Sequence, residues 1–303
     1  MVKRYTADII LLLITFVWGA TFVLVQDAIH LIPVFSFLAI RFTVAGLLML
    51  FIALLYAPWR AAFHRHLYIA GFIIGLWLFA GYAFQTLGLL YTSPATAGFI
   101  TGLSVVLVPI FSIVLLKRKP PKVAWIGVSM AAIGLFLLAF GQSGTLNGGD
   151  LLELLCAVSF AMQIIAVGKY APNYPALPLA AVEILTVGIL SLFVLVFTHT
   201  PLAHPTTALL TPTVQWALWI CILLATVIAY FAQTAFQKFT TPTRTALIFS
   251  MEPVFAAVAT YLWTKQQLTK AELIGCGMIL LGMLITELGG QDHTIAPVSS
   301  DLS

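Results

Sequence analysis

Long apolar runs constrain this chain more than any other feature. Bounded by Pro, Gly and charged residues, they lie near residues 7–28, 33–56, 67–90, 94–116, 123–141, 150–169, 176–197, 213–237, 242–264 and 271–289. A hydrocarbon layer about 30 Å thick is crossed by a helix of about 20 residues. Barrel strands would instead show about ten residues of alternating polarity, and these runs are continuous. A soluble domain has about one quarter charged residues, whereas here 8% are charged and 61% hydrophobic. The expected fold is therefore an all-α integral membrane protein of ten transmembrane helices, with little chain left for an extramembrane domain.

Charge placement orients the spans. With a cytoplasmic N-terminus, eleven cations fall on the inner side: Lys3, Arg4, Arg60, Arg65, Lys117, Arg118, Lys119, Lys122, Lys169, Lys238 and Arg244. Only Lys265 and Lys270 fall outside. That bias follows the positive-inside rule and puts both termini in the cytoplasm of a cell whose inner or plasma membrane holds the chain. The net charge of +4 and pI near 9.0 do not point to nucleic acid, because the basic run KRKPPK at 117–122 is a short connection between spans. The first run is too long for a signal-peptide core and lacks a small-residue cleavage site, so it stays as a helix. Cys156, Cys221 and Cys276 have no C-x-x-C spacing and read as packing residues, not as a disulfide or metal framework. The polar tail at 290–303 is expected to be disordered.

The chain also repeats itself. In a register of 148 residues, Tyr82, Gln85 and Thr86 meet Tyr230, Gln233 and Thr234; Thr92 and Pro94 meet Thr240 and Pro242; Gly127 and Gly134 meet Gly275 and Gly282. In a register of 142, Asp8, Pro33 and Gly46 meet Asp150, Pro175 and Gly188. A loop insertion before the eighth span accounts for the change. Five crossings is an odd number, so the second copy enters the membrane upside down. The domains expected are a first five-helix repeat at 1–141 and an inverted one at 142–289, an architecture of secondary transporters whose site lies between the repeats near the midplane.

Four segments carry a family resemblance: WGATFVLVQ in the first span, AIRFTVAGLL in the second, YTSPATAGFITGL entering the fourth and SMEPVFAAV in the ninth. In that order, with ten spans, the chain resembles the EamA-type branch of the drug/metabolite transporter superfamily. The resemblance implies a central cavity lined mainly by spans 1, 3, 4, 6, 8 and 9, and export or exchange of small metabolites, often amino acids.

An ionisable side chain at the bilayer centre costs about 2.5–3.5 kcal/mol on insertion scales, so it faces a partner or a wet cavity. Arg41 should sit about 12 Å below the outer end of its helix, Glu252 about 15 Å and Glu183 about 10 Å above the inner ends of theirs. Depth favours an Arg41–Glu252 pair over Arg41–Glu183. Glu252 is either a proton acceptor or cation ligand, or a buried anion neutralised by Arg41 or capping broken backbone before Pro253. Arg41 and Glu183 read as structural charges. Thr226, Tyr230, Gln233 and Gln237 recur at i, i+4, i+7 and i+11 on one helical face, matched in the first repeat by Tyr82 and Gln85. Inversion would place the two Tyr–Gln pairs at opposite mouths, as alternating gates or as interfacial tyrosines and helix-bridging amides. Trp18, near the midplane, reads as a cavity wall or as packing. Thr101, Ser104 and Gln163, with Ala97 and Ser159, extend mildly polar faces. Pro109 and Pro253 are expected to kink the fourth and ninth spans.

The substrate cavity or gate is thus expected to comprise Trp18, Tyr82, Gln85, Thr101, Ser104, Gln163, Tyr230, Gln233 and Glu252. No H-E-x-x-H, G-x-S-x-G or P-loop motif supports an enzyme or ATP driving, and no cofactor or metal is expected. The function expected is secondary transport of a small metabolite, amino acids or related amphipathic compounds foremost. A facilitative uniporter and a non-transporting assembly subunit are the alternatives. The partners are the metabolite and the lipid bilayer, with protons and a second copy of the chain left open.

Overall fold

The computed structural model describes residues 2–92, 94–117, 119–139, 148–199, 206–264 and 269–289. Arg118, Lys265, the 141/142 repeat boundary, part of the insertion before the eighth span and the tail from residue 290 lie outside the described residues. Fourteen α-helices order the described residues: α1 (Val2–Ile29), α2 (Val34–Leu55), α3 (Ala57–Arg60), α4 (Arg65–Gly88), α5 (Pro94–Gly102), α6 (Ser104–Leu116), α7 (Lys122–Ala139), α8 (Gly148–Tyr170), α9 (Ala176–Phe197), α10 (Pro212–Ile222), α11 (Ala229–Gln237), α12 (Pro242–Phe249), α13 (Glu252–Thr264) and α14 (Lys270–Gly289). A π-helical turn, Leu223–Ile228, joins α10 to α11. No strand occurs among the described residues.

Among the described residues, seven helices are long and apolar enough to cross a membrane, counting Thr96–Leu116 as one, and Lys122–Leu137 and Leu273–Thr286 are shorter apolar helices. The seven fall short of the ten expected spans because the ninth is divided between α12 and α13 and the fifth and tenth are brief.

The fourth and ninth apolar runs are each broken. Leu103 turns at ψ −13° between α5 and α6, and its N–H bonds back three residues to the Ile100 carbonyl. Ser250 turns at ψ −9° after α12, and the Met251 N–H bonds three residues back to Ile248. Leu103 and Met251 are 148 residues apart, so both repeats break at the same place. The prolines are not the cause. Pro109 is accommodated inside α6, beyond the break, and Pro253 stands in the first turn of α13, where a missing N–H costs no intrahelical bond.

Polarity runs inside out. Glu153 and Glu183 are fully buried while Leu55 is 70% and Phe197 67% exposed. Such a surface would aggregate in water and suits lipid, where backbone groups are satisfied within helices. Without a hydrophobic driving force between helices in lipid, close approach of small residues holds them together. α2 packs on α9 and α7 on α14, each helix on its own counterpart. A β-carbon on Gly127 would stand 2.5 Å from the Gly282 carbonyl oxygen, and one on Gly134 2.6 Å from that of Gly275. Moving forward along α7 means moving backward along α14, so the counterparts cross antiparallel. α2 and α9 do the same: Gly46 meets Leu185, and Gly188 meets Thr43.

Candidate functional site

A cavity opens where the two helix breaks, α11, the middle of α8 and the C-terminal parts of α1 and α4 converge. Its wall includes Trp18, Thr21, Phe22 and Val25 of α1, Arg41 of α2, Tyr82, Gln85 and Thr86 of α4, Thr101 and Ser104 at the first break, Phe160 and Gln163 of α8, Tyr230 and Gln233 of α11, and Phe249 and Glu252 at the second break. All nine residues expected at a cavity or gate are among them. The expected contacts between them are partly different.

Arg41 does not pair with Glu252. Its Nε donates to Thr226 Oγ1 at 2.8 Å, and its Nη2 to the Tyr82 hydroxyl at 3.3 Å and the Ala225 carbonyl at 3.4 Å. Its guanidinium lies 4.8 Å from the ring centroids of both Phe42 and Tyr82. The π-turn explains the geometry. Wide turns of this kind displace carbonyls from the ordinary helical ladder and recur at functional sites. Ala225, within it, also accepts the Trp18 indole N–H at 2.9 Å. Depth along a helix gave Arg41 and Glu252 a common level, and both border the cavity, but they stand farther apart than an ion pair allows. Among the described residues, the Glu252 carboxylate has no hydrogen-bond or ion-pair partner and borders the cavity.

The two tyrosines are not at opposite mouths either. Tyr230 donates its hydroxyl proton to Tyr82 at 2.8 Å, joining the two halves at the cavity wall. Trp18 adds an aromatic wall, 5.4 Å from the Tyr230 ring and 5.1 Å from Phe249. The glutamines do diverge. Gln85 donates to Thr101 Oγ1 at 3.5 Å, and Thr101 donates to Glu153 Oε2 at 3.0 Å. Gln233 donates to Gln163 Oε1 at 3.2 Å and Gln237 Oε1 at 3.1 Å, while Gln163 donates to Glu183 Oε1 at 2.8 Å. Each amide network thus leads away from the cavity to a buried acid. Glu183 does not reach the wall. Ser159 bonds its own helix at Leu155, as a membrane serine often does.

Two groups were missed in the sequence. Glu153, one turn into α8, has no role in the sequence reading, yet α4 covers it: a β-carbon on Gly88 would stand 2.6 Å from its Oε1. Arg244 enters the sequence reading only as an inner-side cation at the start of the ninth span. It is buried against Asp8, with Nε to Oδ1 at 3.1 Å and Nη2 to Oδ2 at 2.7 Å. The alignment of Asp8 with Asp150 was the available signal, since Asp150 likewise accepts from Thr92 at 3.1 Å. Among the described residues, no three His, Cys, Asp or Glu side chains gather as a metal site requires.

Comparison with known proteins gives a consistent picture. The EamA-like transporter family matches residues 5–140 and 147–288. An "uncharacterized transporter" of Archaeoglobus fulgidus is 35% identical over 287 residues, covering 95% of this chain and 87% of the relative. The Escherichia coli K12 "uncharacterized inner membrane transporter YedA" is 25% identical over 302 residues, covering 95% and 94%. A solved crystal structure superposes with a TM-score of 0.76 at 21% identity, covering 94% of this chain and 97% of that one, which supports the fold.

Proposed function

Because the chain belongs to the EamA-like transporter family and is a multi-pass protein of the plasma membrane, we propose that it is a secondary transporter exporting small metabolites. Amino acids and related amphipathic compounds are its cargo class, moved by alternating access. Ten crossings in two inverted repeats, 1–141 and 142–289, with both termini cytoplasmic, form the frame. The observation that carries this reading is the cavity itself, whose wall joins Trp18, Tyr82, Gln85 and Thr101 of the first half to Gln163, Tyr230, Gln233 and Glu252 of the second. Aromatic faces with a few placed polar groups suit a small amphipathic ligand. Multiply phosphorylated cargo calls for clusters of Arg or Lys.

Gln85 and Gln233 act as the two gates in this scheme, each amide exchanging its protein partners for water or cargo when its side opens. Ser104 and Glu252 occupy equivalent positions 148 residues apart, and the acid serves as the coupling group. Arg41 and Glu183 carry structural charges. The test is flux in proteoliposomes against an amino-acid and metabolite panel, with and without a pH gradient. Cargo-specific flux is expected. Gln85→Leu and Gln233→Leu should each reduce it at least tenfold, and unchanged flux rejects the gates. Glu252→Gln should abolish pH-gradient dependence; full retention moves the coupling elsewhere and leaves facilitated movement as the mode.

A further inference from the structure

Arg41 has more donor capacity than its neighbours use. It is 3% exposed, and a guanidinium keeps its charge in proteins. The acceptors around it are a threonine hydroxyl, a tyrosine hydroxyl and a backbone carbonyl, all neutral. No carboxylate lies within ion-pair distance among the described residues. Nη1 has no acceptor among those residues and belongs to a side chain that lines the cavity. A desolvated cation without a counter-anion is costly, and the cost is removed by an anion that arrives with the cargo.

The second donor beside it is Tyr82. Its hydroxyl oxygen accepts from Arg41 at 3.3 Å and from Tyr230 at 2.8 Å. That leaves its own proton, for which the described residues offer no acceptor. Both groups are held from behind. Thr226 and the Ala225 carbonyl fix the guanidinium from the π-turn, and Phe42 packs 4.8 Å from the Tyr82 ring. A positive charge and two unclaimed donors therefore meet at one point of the wall, pre-oriented as anion recognition requires.

We propose that Arg41 Nη1 and the Tyr82 hydroxyl form the subsite for a carboxylate group of the transported solute. This goes beyond a structural charge for Arg41 and rests on the transport reading only in calling the ligand cargo. Arg41 is the one Arg or Lys among the described residues of this wall, so a dianionic phosphate would find a single cation. A monoanionic carboxylate, alone or in a zwitterion, is the matching chemistry.

The test uses the purified full chain in detergent and two probe pairs, phenylacetate with phenylacetamide and L-phenylalanine with L-phenylalaninamide. Each is titrated while the thermal unfolding midpoint is followed. Both acids should raise the midpoint saturably and both amides should not. Arg41→Gln should weaken the acids about tenfold to a hundredfold, the worth of a hydrogen bond to a charged group. Arg41→Lys should recover part of that loss. Tyr82→Phe, which leaves Arg41 on Thr226 and Ala225, should weaken the acids about tenfold and decides the matter if Arg41→Gln fails to fold. Acids and amides acting alike, acids giving no shift up to their solubility, or acid affinity unchanged in Tyr82→Phe and Arg41→Lys would overturn the proposal. Acid-selective, Arg41-dependent binding without metabolite flux in proteoliposomes would sink the transport reading and leave this subsite standing. Flux indifferent to the carboxyl group and to Arg41 would do the reverse.

Discussion

Gln163 shows how much one buried amide can hold. Its nitrogen donates to Glu183, its oxygen accepts from Gln233, and Glu183 has no other side-chain partner among the described residues. Gln163→Leu leaves that buried acid unsatisfied and should cost about 1–3 kcal/mol, read as a lower unfolding midpoint. The double variant Gln163→Leu with Glu183→Leu should be less damaged than the single one, because both partners are then apolar. At this scale the sequence was readable where polarity recurred in phase. Tyr82, Gln85, Tyr230 and Gln233 could be found because they repeat at a fixed interval and polar side chains are rare in such runs. Glu153 could not be, since nothing in LLELLC tells a covered acid near a helix start from one at the interface. The partner of Arg41 was likewise hidden, because it depends on a neighbouring helix changing its winding.

Helix pairs in this bundle depend on the absence of side chains at a few points. A β-carbon on Gly134 would meet both the Gly275 carbonyl and the Ile279 side chain, and backbone cannot yield as a flexible side chain does. Gly134→Ala should therefore destabilise the α7–α14 crossing by about 1–3 kcal/mol. Gly277→Ala, on the same α14 but with nothing within 4 Å of the added carbon, should be neutral or gain up to about 1 kcal/mol from helix propensity. Detergent unfolding midpoints of the two variants measure the contrast. Apolar periodicity located these elements well, since length and continuity follow directly from bilayer thickness. It could not locate their interruptions. The breaks at Leu103 and Met251 are changes of backbone hydrogen bonding among residues of ordinary helical character, and the visible prolines nearby drew attention to the wrong positions.

For the molecule as a whole, the antiparallel crossings of α2 with α9 and α7 with α14 bind each half to the other. The proposed topology then makes a sharp demand. In a background with Cys156, Cys221 and Cys276 replaced by Ala, a cysteine at position 117 should react with impermeant maleimide only from the cytoplasmic face. One at 265 should react only from outside. Labelling of both from one face would refute the inverted arrangement. The duplication was legible in the chain because prolines and polar residues kept their interval; how the two copies grip each other was not, since that lies in contacts between helices. One of those joints is unusual. The Ala225 oxygen tethers both the Trp18 indole and the Arg41 guanidinium, and it is free to do so because the Ala229 N–H bonds to Leu224 and Thr226 instead. Were that stretch to tighten to ordinary α pitch, Ala229 would claim the Ala225 oxygen for itself. A one-residue slip along a single helix would then unfasten two ties to the opposite half in one stroke.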